Sequence, residues 1–93
     1  MNFPKPIRYS NPRYLDYVRT LPCADCGKPG PSDPHHESWI DGTRAGGKPD
    51  DAFALPLCRV CHTLHHTGHG MGRENAARAL LRTLRDYLRG LEP

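Results

Sequence analysis

The clearest hydrophobic period in the chain lies near its C-terminal end. From about Arg73 to Arg89, apolar residues recur at steps of three and four, which predicts an amphipathic helix. Gly90 follows this segment as a stop signal. The predicted apolar face consists of Ala77, Leu80, Leu81, Leu84, Leu88 and Leu91.

A shorter helix is predicted near the N-terminus. Asn11 followed by Pro12 is typical of a helix start, because the asparagine side chain caps the helix and proline suits its first position. This helix should run from Pro12 to about Thr20, after a proline-rich extended arm over residues 1–10. Its predicted packing side consists of Tyr14, Tyr17 and Val18.

The centre of the chain predicts a β-hairpin followed by a helix. The segments His35–Trp39 and Ala52–Leu57 are expected to pair as strands across a long glycine-rich loop at 41–51. Pro56 limits the second strand to an edge or a bulge, because proline has no backbone N–H to donate. A turn and a helix are predicted from Cys58 to about Thr67. The fold class is therefore α+β.

The composition limits how large a core this fold can have. The chain of 93 residues predicts a single domain over 1–93, with a core at about 21–68, an N-terminal arm and helix at 1–20 and a C-terminal helix at 73–90. Only 37% of residues are hydrophobic, and 9 glycines and 10 prolines interrupt regular structure. A domain of this size buries only about two-thirds of its unfolded surface, so an additional staple is expected.

Four cysteines supply a candidate staple. Cys23 and Cys26 form one Cys-x2-Cys pair and Cys58 and Cys61 form another, a spacing typical of a tetrahedral structural zinc site. The alternatives are two disulfides or unrelated buried thiols. Cys58-x-x-Cys61-His62 also matches the attachment pattern of c-type haem, but haem would leave the first pair unexplained.

The N-terminal sequence predicts a cytoplasmic location. Residues 1–6 contain no apolar core of a secretion signal, and no stretch is long and apolar enough to span a membrane. In a reducing compartment, paired Cys-x2-Cys units are metal ligands more often than disulfides.

Paired histidines predict a second metal site. His62 and His66 are four residues apart and share one face of the predicted helix, with His65 close to that face. His35 and His36 are adjacent on a predicted strand and should point to opposite sides, so that one can bind a metal ion while the other faces a substrate. This arrangement suits metal-assisted hydrolysis. The alternative is a set of surface histidines or a core histidine with a satisfied hydrogen bond.

The order of these motifs resembles the HNH endonucleases, also called ββα-metal nucleases. Cys-x2-Cys, His-His, a glycine-rich loop and Cys-x2-Cys-His-x3-His follow one another over roughly Leu21 to Gly68. The segment from Gly46 to His62 looks most like the small phage and prophage branch of that family. The resemblance implies a β-hairpin and a helix around one divalent ion, with a zinc ion at the base of the hairpin. It also implies hydrolysis of DNA phosphodiester bonds.

Individual roles follow from the resemblance. His35 would bind the catalytic ion (magnesium, manganese, nickel or zinc), and His36 would be the general base. His62, and in some members the residue at the position of His66, would complete the metal site. Phe53 stands where the family has an asparagine, and Asp50 or Asp51 could take over its function. DNA and recombination or phage proteins are the implied partners, without an organic cofactor.

Basic residues add a weak signal for nucleic acid. The formal net charge of +3 falls to roughly +1 if four thiolates bind a zinc ion, so the distribution of charge is more informative. Arg78, Arg82, Arg85 and Arg89 form one stripe on the C-terminal helix, which is either a phosphate-binding face or an ordinary solvated one. Arg44, Lys48 and Arg59 are nearer the predicted metal site and are candidate phosphate ligands.

The competing interpretation is a metal-bound module that binds DNA or protein without catalysis. The absent asparagine favours it. Nothing in the sequence resembles an element that reads bases, so little sequence preference is expected with either interpretation.

Overall fold

A two-stranded antiparallel hairpin organises the fold. The computed structural model describes residues 9–37, 39 and 50–91. The elements in this part of the chain are α1 (Pro12–Arg19), β1 (Asp33–His36), a 3-10 helix (Asp51–Phe53), β2 (Ala54–Leu57), α2 (Arg59–His66) and α3 (Arg73–Gly90). The α+β class predicted from the sequence is confirmed. The predicted arm at 1–8 and the loop at 41–49, with Arg44 and Lys48, lie outside the described residues.

The strands are shorter than predicted and start at different residues. β1 begins at Asp33 and ends at His36, and β2 begins at Ala54, with His35 opposite Leu55 in the ladder. Asp51–Phe53 form a 3-10 turn instead of the start of β2, and the Glu37 N–H donates to the Phe53 carbonyl. Pro56 is tolerated because this sheet has two strands and both of them are edges.

Helix α1 begins as its sequence predicts. The Asn11 side chain accepts a hydrogen bond from the Tyr14 N–H, and Pro12 takes the first helical position. Tyr14 and Val18 are buried, and the Tyr14 hydroxyl donates to the Ala54 carbonyl at 2.8 Å. Tyr14 and Tyr87 of α3 also pack edge to face, with ring centroids 5.1 Å apart. The helix is thereby fixed to both the hairpin and α3.

The buried face of helix α3 agrees with the predicted leucine stripe only at Leu80 and at Leu84, which is partly buried. Its buried residues are Ala76, Ala79, Leu80 and Thr83. Leu81, Leu88 and Leu91 are exposed. Ala79 packs with the cysteines and with Leu55 and Leu57 of β2, and the Thr83 hydroxyl donates to the Ala79 carbonyl. A pattern based on hydrophobicity alone gives these small residues too little weight.

The end of α3 also differs by one residue from the prediction. Gly90 is the last helical residue rather than a stop, and Leu91 caps the helix. The core consists of one cluster around the cysteines with Leu55, Leu57 and Leu80, and another around Tyr14. Within the described ranges, no helix has both the length and the apolar character needed to cross a membrane.

Candidate metal centres

The four cysteine sulfurs converge on one point. Cys23 and Cys26 lie in a turn closed by the Gly27 N–H, which donates to the Cys23 carbonyl, while Cys58 caps α2 and Cys61 lies in its first turn. All four thiols are free, and their sulfur atoms lie within 4.8 Å of one another. Cys26 and Cys58 are separated by 3.8 Å from Sγ to Sγ. Four sulfurs placed tetrahedrally at about 2.3 Å from an ion would be about 3.8 Å apart, whereas a disulfide bond is about 2.05 Å long.

Backbone donors already support negative charge on this cluster. The Cys26 N–H points at the Cys23 sulfur and the Cys61 N–H points at the Cys58 sulfur, each at 3.5 Å. Burial alone would raise the pKa of the Cys23 thiol, but surrounding N–H groups lower that pKa to about 6. Burial and neighbouring sulfurs instead raise the pKa of Cys61. A cation would stabilise all four thiolates together, so the donor set suits a structural metal ion.

The cysteine cluster connects three parts of the fold. The Ala24 N–H donates to the Pro56 carbonyl at 2.8 Å, which attaches the first cysteine turn to β2. The second cysteine pair joins the end of β2 to α2. All four candidate ligands are thiols, so an ion held by them would have no open position for substrate, as in structural metal sites.

A second group consists of three histidines. His35 projects from β1, and His62 and His66 lie one turn apart on α2. Their candidate ligand nitrogens lie within 4.8 Å of one another. The ring centroid of His35 is 4.9 Å from that of His62 and 5.4 Å from that of His66. The structure therefore brings together the three histidines that the sequence assigns to a catalytic ion.

Asp33 supports one of these rings. Its Oδ2 lies 3.4 Å from His62 Nδ1 and 3.0 Å from the Arg59 Nε. A carboxylate that accepts from one ring nitrogen leaves the other nitrogen free as a metal ligand. Burial lowers the pKa of His62, with the His35 and His66 rings adding to the effect and Asp33 opposing it. The ring is thus favoured in the neutral form that binds metals.

His36 has a different environment. Its Nε2 lies 3.0 Å from the Asp51 Oδ1, and the other Asp51 oxygen accepts from the Asn11 N–H at 2.8 Å. Because an ionised carboxylate only accepts, Nε2 carries the proton in the neutral ring and Nδ1 has the free lone pair. Of the two aspartates that could replace the asparagine, Asp51 contacts the His36 ring, whereas Asp50 accepts from the Tyr9 N–H.

Glu37 is a site residue that the sequence did not predict. Glu37 is 1% exposed, and its carboxylate lies between the rings of His35 and His65. Burial alone would raise the pKa of this carboxyl, but His35, Trp39 and His65 together hold it below its usual value. A signal was available, since residues two apart on a strand share a face and residue 37 follows His35 by two.

The basic residues are placed at the surface. Arg59 is exposed beside the three-histidine cluster, through its contact with Asp33. The four arginines of α3 are all exposed and lie on the side of the helix away from its buried face. Two of them have acidic partners on the same helix: Arg78 contacts Glu74 at 2.7 Å and Arg85 contacts Asp86 at 3.1 Å.

Comparison with known proteins gives a family. Residues 1–82 match the family described as a protein of unknown function, DUF968. The chain belongs to the DUF968 family. This DUF968 chain is 43% identical over 67 residues to the uncharacterized protein YdfU of Escherichia coli strain K12. That alignment covers 72% of the DUF968 chain and 19% of YdfU, so the chain corresponds to about a fifth of its relative's length. No solved structure matches it.

Proposed function

We propose that the chain is a metal-dependent endonuclease that hydrolyses DNA phosphodiester bonds. In this proposal zinc occupies the four-cysteine cluster and a catalytic divalent ion is held by His35, His62 and His66. The observation that carries the proposal is the convergence of these three imidazoles from β1 and α2. Strand and helix are the two elements that hold the catalytic ion in the HNH nucleases that the sequence resembles.

The residues of the site suit hydrolysis. A bound divalent ion would polarise the phosphate and neutralise charge on the departing 3′ oxygen. His36 would remove a proton from water through Nδ1, as the water oxygen bonds to phosphorus and the bond to the 3′ oxygen breaks. Asp51 would hold the ring in the required tautomer through its contact with Nε2. Arg59, exposed next to Asp33, would contact a neighbouring phosphate.

A metal-bound binding module without catalysis is the second candidate. Two observations favour it. Phe53 replaces the asparagine of the HNH pattern, and strand geometry sends the His36 side chain to the face of β1 opposite His35. With His36 on one face of β1 and the ion on the other, both could act on the same phosphate only if that phosphate lay beside the edge of the strand.

A plasmid-nicking assay separates the two candidates. Supercoiled DNA incubated with the purified chain and magnesium or manganese should be nicked, and His36→Ala should reduce the rate at least about 100-fold because the base is lost. His69→Ala is the matched control, since His69 is exposed and belongs to none of the three groups of potential metal ligands among the described residues. DNA retention without cutting under any divalent ion would support the binding module instead. Undiminished cutting by His36→Ala would reject His36 as the base.

A further inference from the structure

A buried carboxylate lies beside the three-histidine cluster and is not needed by the proposed reaction. The Glu37 Oε1 is 3.0 Å from His35 Nε2 and 3.0 Å from His65 Nε2. The other oxygen, Oε2, accepts the indole N–H of Trp39. Glu37 and His35 are buried, and the His65 side chain is 18% exposed. These three side chains form a third group of potential ligands within the part of the chain that the structure describes.

The contacts to Oε1 lack the geometry of hydrogen bonds. Oε1 is buried and has no hydrogen-bond partner, although two ring nitrogens lie at hydrogen-bonding distance from it. A buried carboxylate oxygen left without a partner is strongly destabilising. Ligands bound at about 2.0–2.2 Å around a tetrahedral ion lie about 3.3–3.6 Å apart, so the two nitrogens, each 3.0 Å from Oε1, would need to move outward by a few tenths of an ångström. The buried, unpartnered oxygen beside two ring nitrogens is therefore the observation that favours a shared ion over two hydrogen bonds.

We propose that Glu37, His35 and His65 hold a divalent transition-metal ion at a second histidine site, which shares His35 with the three-histidine cluster and takes its other two ligands from Glu37 and His65. Two histidines and one carboxylate are a donor set that zinc and neighbouring first-row metals accept readily. The site uses Nε2 of His35, the nitrogen that faces Glu37. His36, His62 and His66 take no part in it, so the inference does not depend on nuclease activity.

Gly70 makes room for one of the three ligands. A Cβ atom added at Gly70 would lie 2.3 Å from His65 Nδ1 and 2.9 Å from the His65 Cα. The Gly70 backbone has an ordinary φ angle that alanine also adopts, so this contact is the reason for a glycine. The loop after α2 thus packs against the Nδ1 side of the ring while Nε2 faces Glu37. The His65 ring is therefore held between Gly70 on one side and Glu37 on the other.

The simpler role for Glu37 is to orient the His35 ring as a hydrogen-bond acceptor. The two roles predict different metal binding once His62 and His66 are removed. A metal site formed by Glu37 survives their loss, whereas an orienting carboxylate leaves only one histidine oriented and no ion bound. The double variant His62→Ala/His66→Ala is therefore the background for the test.

Cobalt(II) titration of the full chain, with its thiolate site already filled with zinc, reports the new site through visible absorption. The double variant should bind one cobalt ion, and adding Glu37→Gln should weaken its cobalt affinity more than about 100-fold. Loss of a residue that only hydrogen-bonds to a metal ligand typically weakens metal affinity by about 10- to 100-fold. His65→Ala should weaken cobalt binding to the same extent as Glu37→Gln, and His69→Ala should leave cobalt binding unchanged. Far-UV circular dichroism checks folding. If Glu37→Gln does not fold, the more exposed His65→Ala decides the outcome.

Two results would overturn the inference. One is a folded double variant that binds no cobalt beyond the thiolate site. The other is His65→Ala in that background binding cobalt as tightly as its parent. Neither result bears on DNA cutting, since the double variant lacks two of the three proposed catalytic ligands. Conversely, an inactive wild-type chain that passes the cobalt test would reject the nuclease and keep the Glu37 site.

Discussion

The Asp51 carboxylate links the start of α1 to the His36 ring. It is 1% exposed, accepts from the Asn11 N–H and lies 3.0 Å from His36 Nε2. If His36 is the base, Asp51 acts on the reaction by fixing the ring and its tautomer. Loss of Asp51 should then slow DNA nicking by no more than loss of the base itself, which is about 10²–10⁴-fold.

Asp51→Asn tests this role. The variant keeps an oxygen acceptor but loses the anionic partner of His36, so DNA nicking should fall about 10-fold or more within that bound while metal content stays constant. Nicking rates and metal analysis measure the two effects separately. Asp50→Asn is the control, because the Asp50 side chain contacts the Tyr9 N–H rather than the His36 ring. Equal losses in both variants would argue for a merely structural effect.

Several residue roles could be predicted from spacing, and others depend on long-range contacts. His62 and His66 on one helix face, and His35 on the opposite side of its strand from His36, follow from local periodicity. The pairing of Asp51 with His36 joins positions 15 residues apart through the hairpin register. The contact of Gly70 with His65 depends on how the loop after α2 folds back. No local pattern contains that information.

At the scale of elements, the loop after α2 positions a ligand. Gly70→Ala should push the His65 ring away from Glu37 and weaken cobalt binding at the proposed Glu37 site by about 10-fold or more, an effect typical of displaced supporting groups. Gly90→Ala is the control, since a Cβ there meets nothing within 4 Å. Cobalt titration in the His62→Ala/His66→Ala background measures the difference. Similar binding by both glycine variants would contradict the assigned role of Gly70.

The packing of α3 offers a test of the buried face of this helix, which differs in part from the predicted leucine face although the bounds of the helix agree with the prediction to within one residue. Leu80 is 3% exposed and Leu81 is 66% exposed, although both belong to the predicted leucine face. Leu80→Ala should destabilise the chain by about 2–5 kcal/mol because it leaves a cavity. Leu81→Ala should change stability by less than about 0.5 kcal/mol. Urea unfolding measures the stability of both variants. Equal losses of stability would favour the predicted face over the observed one.

At the scale of the whole molecule, the cysteine cluster replaces part of a core. The buried hydrophobic residues around it include Leu55, Leu57 and Leu80. The cysteines join the turn that contains Cys23 and Cys26 to β2 and α2. Structural zinc sites of this kind contribute apparent binding free energies of about 10–16 kcal/mol, which becomes folding free energy. The small core predicted from composition would make the fold depend on such an ion.

Removal of the structural ion should therefore unfold the chain. After chelation, far-UV circular dichroism should show loss of most helical signal at room temperature, and added zinc should restore it. The His35→Ala variant is the control, because it disables both histidine groups and leaves the cysteine cluster intact. The helical signal of this variant should be lost on chelation and restored by zinc in the same way as that of the wild-type chain. A chelated wild-type chain that kept its full signal would show that the core suffices without the ion.

The central claim is that sulfur ligands hold a structural ion while imidazole ligands hold a different one. X-ray absorption at the cobalt edge tests it directly, on wild-type chain carrying zinc in the cysteine cluster and one added equivalent of cobalt(II). The account predicts nitrogen and oxygen neighbours around cobalt, with the scattering pattern of imidazole rings and no sulfur. Cobalt surrounded by sulfur, or cobalt that does not bind once zinc is present, would contradict it.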